Sequence, residues 1–285
     1  MKDSLCSLNF VLEALPSLWR YHSRNSSIYT YLDSLVKPAI QELYGKNSEC
    51  NSRLIGLGNF HLPFFSMGAI DSTHLFGLDE LIIFSFYARN RDRYSKVADL
   101  GANIGLHSIC LSKLGYKVDS FEPDPDHLER FRLNCKLNGV SPEIHASAVS
   151  REEGEAEFTR VVGNTTGSHL SGAKQDPYGE LQKFIVPTKS FRKILADHGL
   201  LKIDVEGHEA AIISSTSPSE WITTDALIEI GSEENASIIY SHFEGTRINL
   251  FAQALSWSKV ESLADMPTSY THGSLFISAR KEMPW

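Results

Sequence analysis

The stretch KVADLGANIGLHSICLSKLGYKVDSFEPDPDHLERFRLNCKLNG, Lys96 to Gly139, decides the fold. Its apolar run Val97–Leu100 predicts a strand, the glycines at 101 and 105 a tight turn, and the following pattern a helix over Gly105–Leu114. A second strand at Lys117–Glu122 and a second helix at Pro125–Asn138 complete the unit. Asp124 suits the N-cap of that helix, Pro125 its first position and Gly139 its end. Strand, glycine turn, helix, strand is the building block of a parallel sheet whose helix N-terminus faces a ligand crevice.

Beyond Gly139 the alternation continues. Strands are expected at Glu143–Val149, Lys183–Pro187, Leu200–Val205, Ala226–Ile230, Lys259–Leu263 and Ser274–Ala279, with helices at Phe191–His198, His208–Ser214 and Ile248–Leu255. That order predicts a doubly wound α/β sheet, its last two strands forming a terminal antiparallel pair. Asp79–Asn90 reads as a helix leading into the first core strand, and the polar segment Gly163–Gln182 as a mobile loop. Residues 1–50 read as amphipathic helices interrupted by Pro16 and Pro38, and residues 51–76 as short strands or loops. The expected division is a mainly helical extension, 1–76, before a main domain, 77–285.

A chain of 285 residues with 42% apolar content can bury a full core, and its net charge of -8 argues against a nucleic-acid surface. The four cysteines form no Cys-x-x-Cys pair, so a zinc site is not expected and a reducing, cytoplasmic setting is. Cys110 and Cys135 fall on apolar helix faces and read as core. The first residues, broken by Asp3 and Glu13, do not read as a signal peptide, and no transmembrane segment is expected.

The turn has the order Asp99-x-Gly101-x-Asn103-x-Gly105, lacking the middle glycine of a dinucleotide fingerprint and adding an acid before the turn. A pyrophosphate would meet both a side chain and a negative charge there. S-adenosylmethionine, cationic at sulfonium and ammonium and without phosphates, suits both changes. Glu122 ends the next strand, where an acid can accept bonds from two ribose hydroxyls. A second constellation lies in LLKIDVEGHEAAI, Leu200 to Ile212, which gathers Lys202, Asp204, Glu206, His208 and Glu209 at a strand's carboxyl end. So many ionisable groups so close together must meet one another, a ligand or a metal.

Together VADLGANIG…FEPD and KIDVEGHE resemble the FkbM-type family of S-adenosylmethionine-dependent methyltransferases, from about Asp79 to Arg280. The resemblance implies a Rossmann-like class I methyltransferase fold, with a seven-stranded sheet and an antiparallel last strand. It also implies O-methylation of a sugar, glycolipid or other natural product. By the same resemblance Asp99, Gly101, Ala102, Asn103 and Gly105 line the methionine part of the cofactor. Glu122 and Pro123 lie at the ribose, Ser147 and Ala148 flank the adenine, and Asp204 lies at the transfer point. Glu206, His208 and Glu209 come behind it or beside the acceptor, with Glu229 near enough to join them.

Methyl transfer to a hydroxyl needs a base. Asp204 or His208 is expected in that role, with His169 as an outside candidate and Glu206 beside them. Magnesium on Asp204, Glu206 or Glu229 stays open as an alternative, and no metal ligand is assigned. The rival readings are a nucleic-acid or protein methyltransferase and a nicotinamide-dependent oxidoreductase. The first usually carries an Asn/Asp-Pro-Pro-aromatic loop where Asp204-Val205-Glu206-Gly207 stands, and the second needs the missing glycine. The expected partner is a small-molecule or glycan acceptor rather than nucleic acid, and the N-terminal helices make a homodimer an open expectation.

Overall fold

The computed structural model describes residues 2–173 and 179–285. The chain opens with α1 (Lys2–Ala14) and α2 (Ser27–Tyr44), followed by a hairpin of β1 (Asn51–Leu54) and β2 (Gly58–His61), then α3 (Leu78–Arg89). Ser26 caps α2 by accepting the Ile28 amide, and the helix runs on through Pro38 instead of stopping there. One missing amide is tolerated because Tyr29, Leu32, Val36, Ile40 and Leu43 bury a continuous stripe.

The parallel unit follows as β3 (Lys96–Leu100), α4 (Leu106–Lys113), β4 (Lys117–Phe121), α5 (Pro125–Asn138) and β5 (Glu143–His145). Next come β6 (Ala148–Ser150), β7 (Gly154–Val161), β8 (His169–Leu170), β9 (Leu181–Ser190), α6 (Phe191–Asp197), β10 (Leu200–Ile203) and α7 (Glu209–Ile213). The chain ends with β11 (Asp225–Ile228), α8 (Glu233–Phe243), β12 (Asn249–Ala252), β13 (Ser258–Lys259) and β14 (Leu275–Ser278).

The main sheet has the order β13-β12-β14-β11-β10-β3-β4-β5. Strands β11, β10, β3, β4 and β5 are parallel, and β14 is antiparallel to both its neighbours. Seven strands with an antiparallel last one are as expected, and β13 adds two residues at the edge. Alternate strand residues feed two cores. Val97, Leu200, Leu227 and Phe276 pack with α1 to α4 on one face. Ala98, Leu201, Ala226 and Leu275 pack with α6 to α8 on the other. Cys110 and Cys135 are buried, Cys6 is exposed and Cys50 half-buried, and none of the four forms a disulfide.

Several boundaries differ from the sequence reading. Ile248–Leu255 is not a helix: it holds β12, whose Leu250 and Phe251 face opposite cores. An apolar run buried on both faces carries no period that separates strand from helix. The helix of this region is α8, capped by the Ser232 side chain. The expected strand Lys259–Leu263 begins where β13 ends, so β14 pairs with β11 and β12 and no terminal antiparallel pair forms. The expected strand Glu143–Val149 splits between the main sheet and a second one, of order β6-β9-β7-β8, which also takes Lys183–Pro187. Within Gly163–Gln182, β8 and the start of β9 are regular, so His169 stands on a strand and not in a loop. Residues 174–178 of that segment lie outside the described residues.

Candidate active site

The turn after β3 is shaped by three left-handed residues, Gly101 (φ 80°), Asn103 (φ 51°) and Gly105 (φ 87°). A side chain on Gly101 would put its Cβ 1.8 Å from the Asp204 carbonyl oxygen, so this turn and the loop after β10 can touch only through a glycine. At Gly105 a Cβ would collide with the Phe131 ring, which seats α5 against the turn. The Gly101 and Ala102 amides both donate to the Phe121 carbonyl. The Asn103 amide donates to Glu122 Oε2 at 2.8 Å, and the Asp124 amide to Glu122 Oε1 at 2.8 Å. Two backbone donors thus fix the Glu122 carboxylate at the strand end.

A cleft opens above this arrangement. Gly101, Asn103, Glu122, Pro123 and Ala148 line one side, and Asp204, Glu206 and His208 another. The second sheet and the turn between β7 and β8 supply Phe158, Thr165, Ser168, His169 and Leu170. Asp99, Ala102, Gly105 and Ser147 stand around the cleft without lining it, each buried or, for Gly105, packed on Phe131. Asp99 accepts a bond from Ser108 Oγ at 2.6 Å through one carboxylate oxygen.

β10 stops at Ile203, so of the expected strand residues only Lys202 is on it, Asp204 follows directly after its end, and Glu206 is in a left-handed turn (φ 53°). Tyr270 donates to Glu206 Oε2 at 3.4 Å. Glu209 is fully buried and ties this turn together. Its Oε1 accepts the Val205 and Gly207 amides, and its Oε2 accepts from Asn235. Burial still pushes its carboxyl up to about 7. His208 meets Ser150 Oγ at 3.2 Å, and burial, with Arg151 nearby, lowers its pKa, which favours the neutral imidazole. Asp204 is instead bonded to Lys202, whose Nζ donates to Oδ2 at 2.8 Å.

Sequence reasoning singled out Glu229 at this end but missed the pair formed by Glu80 and His107. Glu80 on α3 pairs with His107 on α4 at 2.6 Å, and His107 Nδ1 meets the Tyr87 hydroxyl at 3.0 Å. Glu229, directly after β11, has its carboxyl raised well above the usual range by burial and then by the Asp204 charge. Nothing local marks Glu80 or His107, because α3 and α4 meet only in the folded chain. On the cofactor side His127 bridges Thr165 Oγ1, at 3.0 Å, and Glu122 Oε1, at 3.6 Å. The strand β7 that carries Phe158 escaped notice as well, although Ala156 and Phe158 alternate with Glu155 and Glu157.

A sheet of this order, with a cleft at the carboxyl ends of β3, β4 and β10, defines a Rossmann-like class I methyltransferase. The chain belongs to the FkbM methyltransferase family: the methyltransferase FkbM domain matches residues 99–257, more than half of its 285 residues. Methyltransferase 1 of Beauveria bassiana is 24% identical over 157 residues, 47% of this chain and 63% of that protein. This chain therefore spans less than two thirds of the length of that curated relative. Among solved structures, a Pyrococcus abyssi tRNA (uracil-54, C5)-methyltransferase in complex with S-adenosyl-L-homocysteine has 11% identity and a TM-score of 0.39, over 81% of this chain and 44% of that one. A SAM-dependent methyltransferase from Agrobacterium tumefaciens has 10% identity and a TM-score of 0.39, over 80% and 68%.

S-adenosylmethionine-dependent methyl transfer is the chemistry of this class, and the residues present fit that cofactor. Asn103 Oδ1, buried on a residue that lines the cleft, has no partner among the described residues, and the same holds for Asp99 Oδ1 and Ser147 Oγ in the layer behind it. Buried polar atoms left open at a ligand cleft are the mark of partners supplied by the ligand. Among the described residues no helix is long and apolar enough to cross a membrane.

Proposed function

We propose that this chain moves a methyl group from S-adenosylmethionine to a hydroxyl oxygen of a sugar, glycolipid or related natural product. The observation that carries this reading is the Asp204 carboxylate. It lines the same cleft as Asn103 and Glu122 and is fixed by a buried ammonium. S-adenosylmethionine supplies a methyl group on a sulfonium, already activated for in-line displacement.

The chain's own residues have three tasks. Glu122, fixed by two amides, accepts the ribose hydroxyls through its remaining lone pairs, with Pro123 beside it. Gly101 and Asn103 bring the turn to the methionine part, with Asp99, Ala102 and Gly105 shaping it from behind, and Ser147 and Ala148 flank the adenine. Asp204 takes the acceptor's hydroxyl proton as its oxygen gains the methyl, using Oδ1 while Oδ2 holds Lys202. His208, kept neutral by burial, is the second base candidate, bonded to Ser150 rather than Asp204. His169 lines the cleft, is 2% exposed, and meets the Gly167 carbonyl through Nδ1 at 2.9 Å. That burial supports a wall residue more than a base. Four unpaired cysteines support a reducing, cytoplasmic setting.

Calorimetry with S-adenosylhomocysteine and with NAD tests the cofactor, and binding of NAD alone would overturn this reading. Methyl-transfer assays over panels of glycans, glycolipids, RNA and proteins test the acceptor. Asp204→Asn should cost about 10²–10⁴-fold in kcat while S-adenosylhomocysteine affinity holds. An active Asn variant would remove Asp204 as base, and turnover of RNA or protein alone would move the acceptor class.

A further inference from the structure

The turn 164–168 brings Thr165 and Ser168 to the cleft, and a loop from much earlier in the chain holds it there. That loop, residues 65–72, closes on itself: the Ser72 amide donates to the Phe65 carbonyl and the Met67 amide to the Ile70 carbonyl, both at 2.9 Å. Its tip meets the turn backbone to backbone. The Ala69 amide donates to the Gly163 carbonyl at 2.7 Å, and the Thr165 amide to the Met67 carbonyl at 3.2 Å. Between these bonds Gly68 pairs with Asn164 in an antiparallel bridge. Gly68 has φ 93°, and a Cβ there would lie 2.0 Å from the Gly163 carbonyl oxygen. So close an approach needs glycine.

One face of α5 holds both partners. His127 and Arg130 stand one helical turn apart and share that face. His127 Nε2 meets Thr165 Oγ1 at 3.0 Å, and the Arg130 guanidinium lies 4.6 Å from the centre of the Phe65 ring. His127 also lines the cleft, 3.6 Å from Glu122 Oε1. Loop, turn and helix thus close round the side of the cleft where Glu122, Pro123 and Ala148 stand. We propose that the loop 65–72 is part of the cofactor site: it seats the turn 164–168 over the adenosine of S-adenosylmethionine, with Gly68 and His127 as positioning residues acting through Thr165. The chain ahead of the main sheet then serves cofactor affinity as well as packing. This inference rests on the reading of the cleft as an S-adenosylmethionine site.

The test is calorimetry with S-adenosylhomocysteine on the full chain, with thermal unfolding of every variant alongside. Gly68→Ala strains the loop and pushes the turn away, and should weaken binding at least about tenfold. Gly56→Ala, left-handed at φ 76° with open space around it and outside the cleft, carries backbone strain alone and should keep wild-type affinity. Thr165→Val should weaken binding several-fold, while Thr165→Ser keeps the hydroxyl and should keep the affinity, a pattern that a general loss of packing would not give. Because Gly68→Ala and Thr165→Val release the same turn, their joint effect should fall short of the product of the two. Wild-type affinity in a folded Gly68→Ala, or equal losses in the Gly68 and Gly56 variants, would overturn the proposal. Should Gly68→Ala not fold, the Thr165 pair decides, and equal affinity of its Val and Ser variants would overturn it. If wild type itself fails to bind S-adenosylhomocysteine, the methyltransferase reading of the cleft falls and takes this inference with it.

Discussion

Gly101 shows how much a single position can carry. Its φ of 80° favours glycine, and its missing Cβ leaves room for the Asp204 carbonyl 1.8 Å from where that atom would be. Gly101→Ala must therefore push the loop after β10 away as well as strain its own backbone. The expected loss is at least about 1–3 kcal/mol of stability, and more if the loop cannot yield. S-adenosylhomocysteine affinity should fall with it, because Gly101 and Asp204 both line the cleft. Thermal unfolding and calorimetry on the one variant check both, and an unchanged midpoint would mean the two backbones are not in contact. Gly139, also left-handed at φ 64° but with open space around it, provides the contrast. Gly139→Ala should show the strain alone.

Among the elements, the second sheet forms a wall of the cleft, and a buried ion pair is among the contacts that hold it to the main unit. Arg160 on β7 grips Asp124 with two nitrogens, at 2.7 and 2.5 Å, while Asp124 is fully buried and caps α5. Burial alone would raise the Asp124 pKa, but the Arg160 bonds hold it low. Arg160→Ala would strand that carboxylate and should cost about 3–5 kcal/mol. It should also weaken S-adenosylhomocysteine binding, because Phe158, Thr165 and His169 would lose their seat over the cleft. A variant with wild-type unfolding and binding would show the wall is held otherwise. This coupling could not be seen in the sequence. Asp99, Gly101 and Glu122 were legible because strand, turn and strand follow one another within a single local unit. Phe158 on β7, Leu170 on β8 and Glu80 on α3 were not, and His169 was named only as a loop residue, because their place depends on pairings such as Phe158 with Leu170, made only in three dimensions. Period also failed at β12, where burial on both faces erased it.

At the scale of the molecule, the first and last segments of the chain meet on the same side of the main sheet. Leu8, Val11, Leu15 and Val36 share one core with Phe84, Phe86 and Phe276. Arg24 and Gln253 both reach Asp79 at the start of α3, at 2.5 and 2.6 Å. His22 joins the same region from its centre. Its Nε2 donates to the Leu15 carbonyl at 3.0 Å, its Nδ1 accepts from Trp257 Nε1 at 3.0 Å, and the Trp285 ring meets it edge-on at 4.8 Å. Both bonds together require the neutral ring, and burial lowers its pKa from 6.5 to about 4. A histidine whose folded pKa is depressed contributes stability that is complete above the unfolded value. That contribution is lost as pH falls through the window from 6.5 to about 4, where the unfolded chain takes up the proton and the folded one does not. For a side chain 1% exposed the loss amounts to about 3 kcal/mol, or roughly 5–10 °C in unfolding midpoint. Other groups titrate in the same window, so the informative quantity is the difference between wild type and His22→Gln. The variant should start less stable near neutral pH, with the gap closing toward pH 4. A gap that stays constant would show that this histidine is protonated in the folded chain, and that the two ends of the sequence are held together by something other than its two hydrogen bonds.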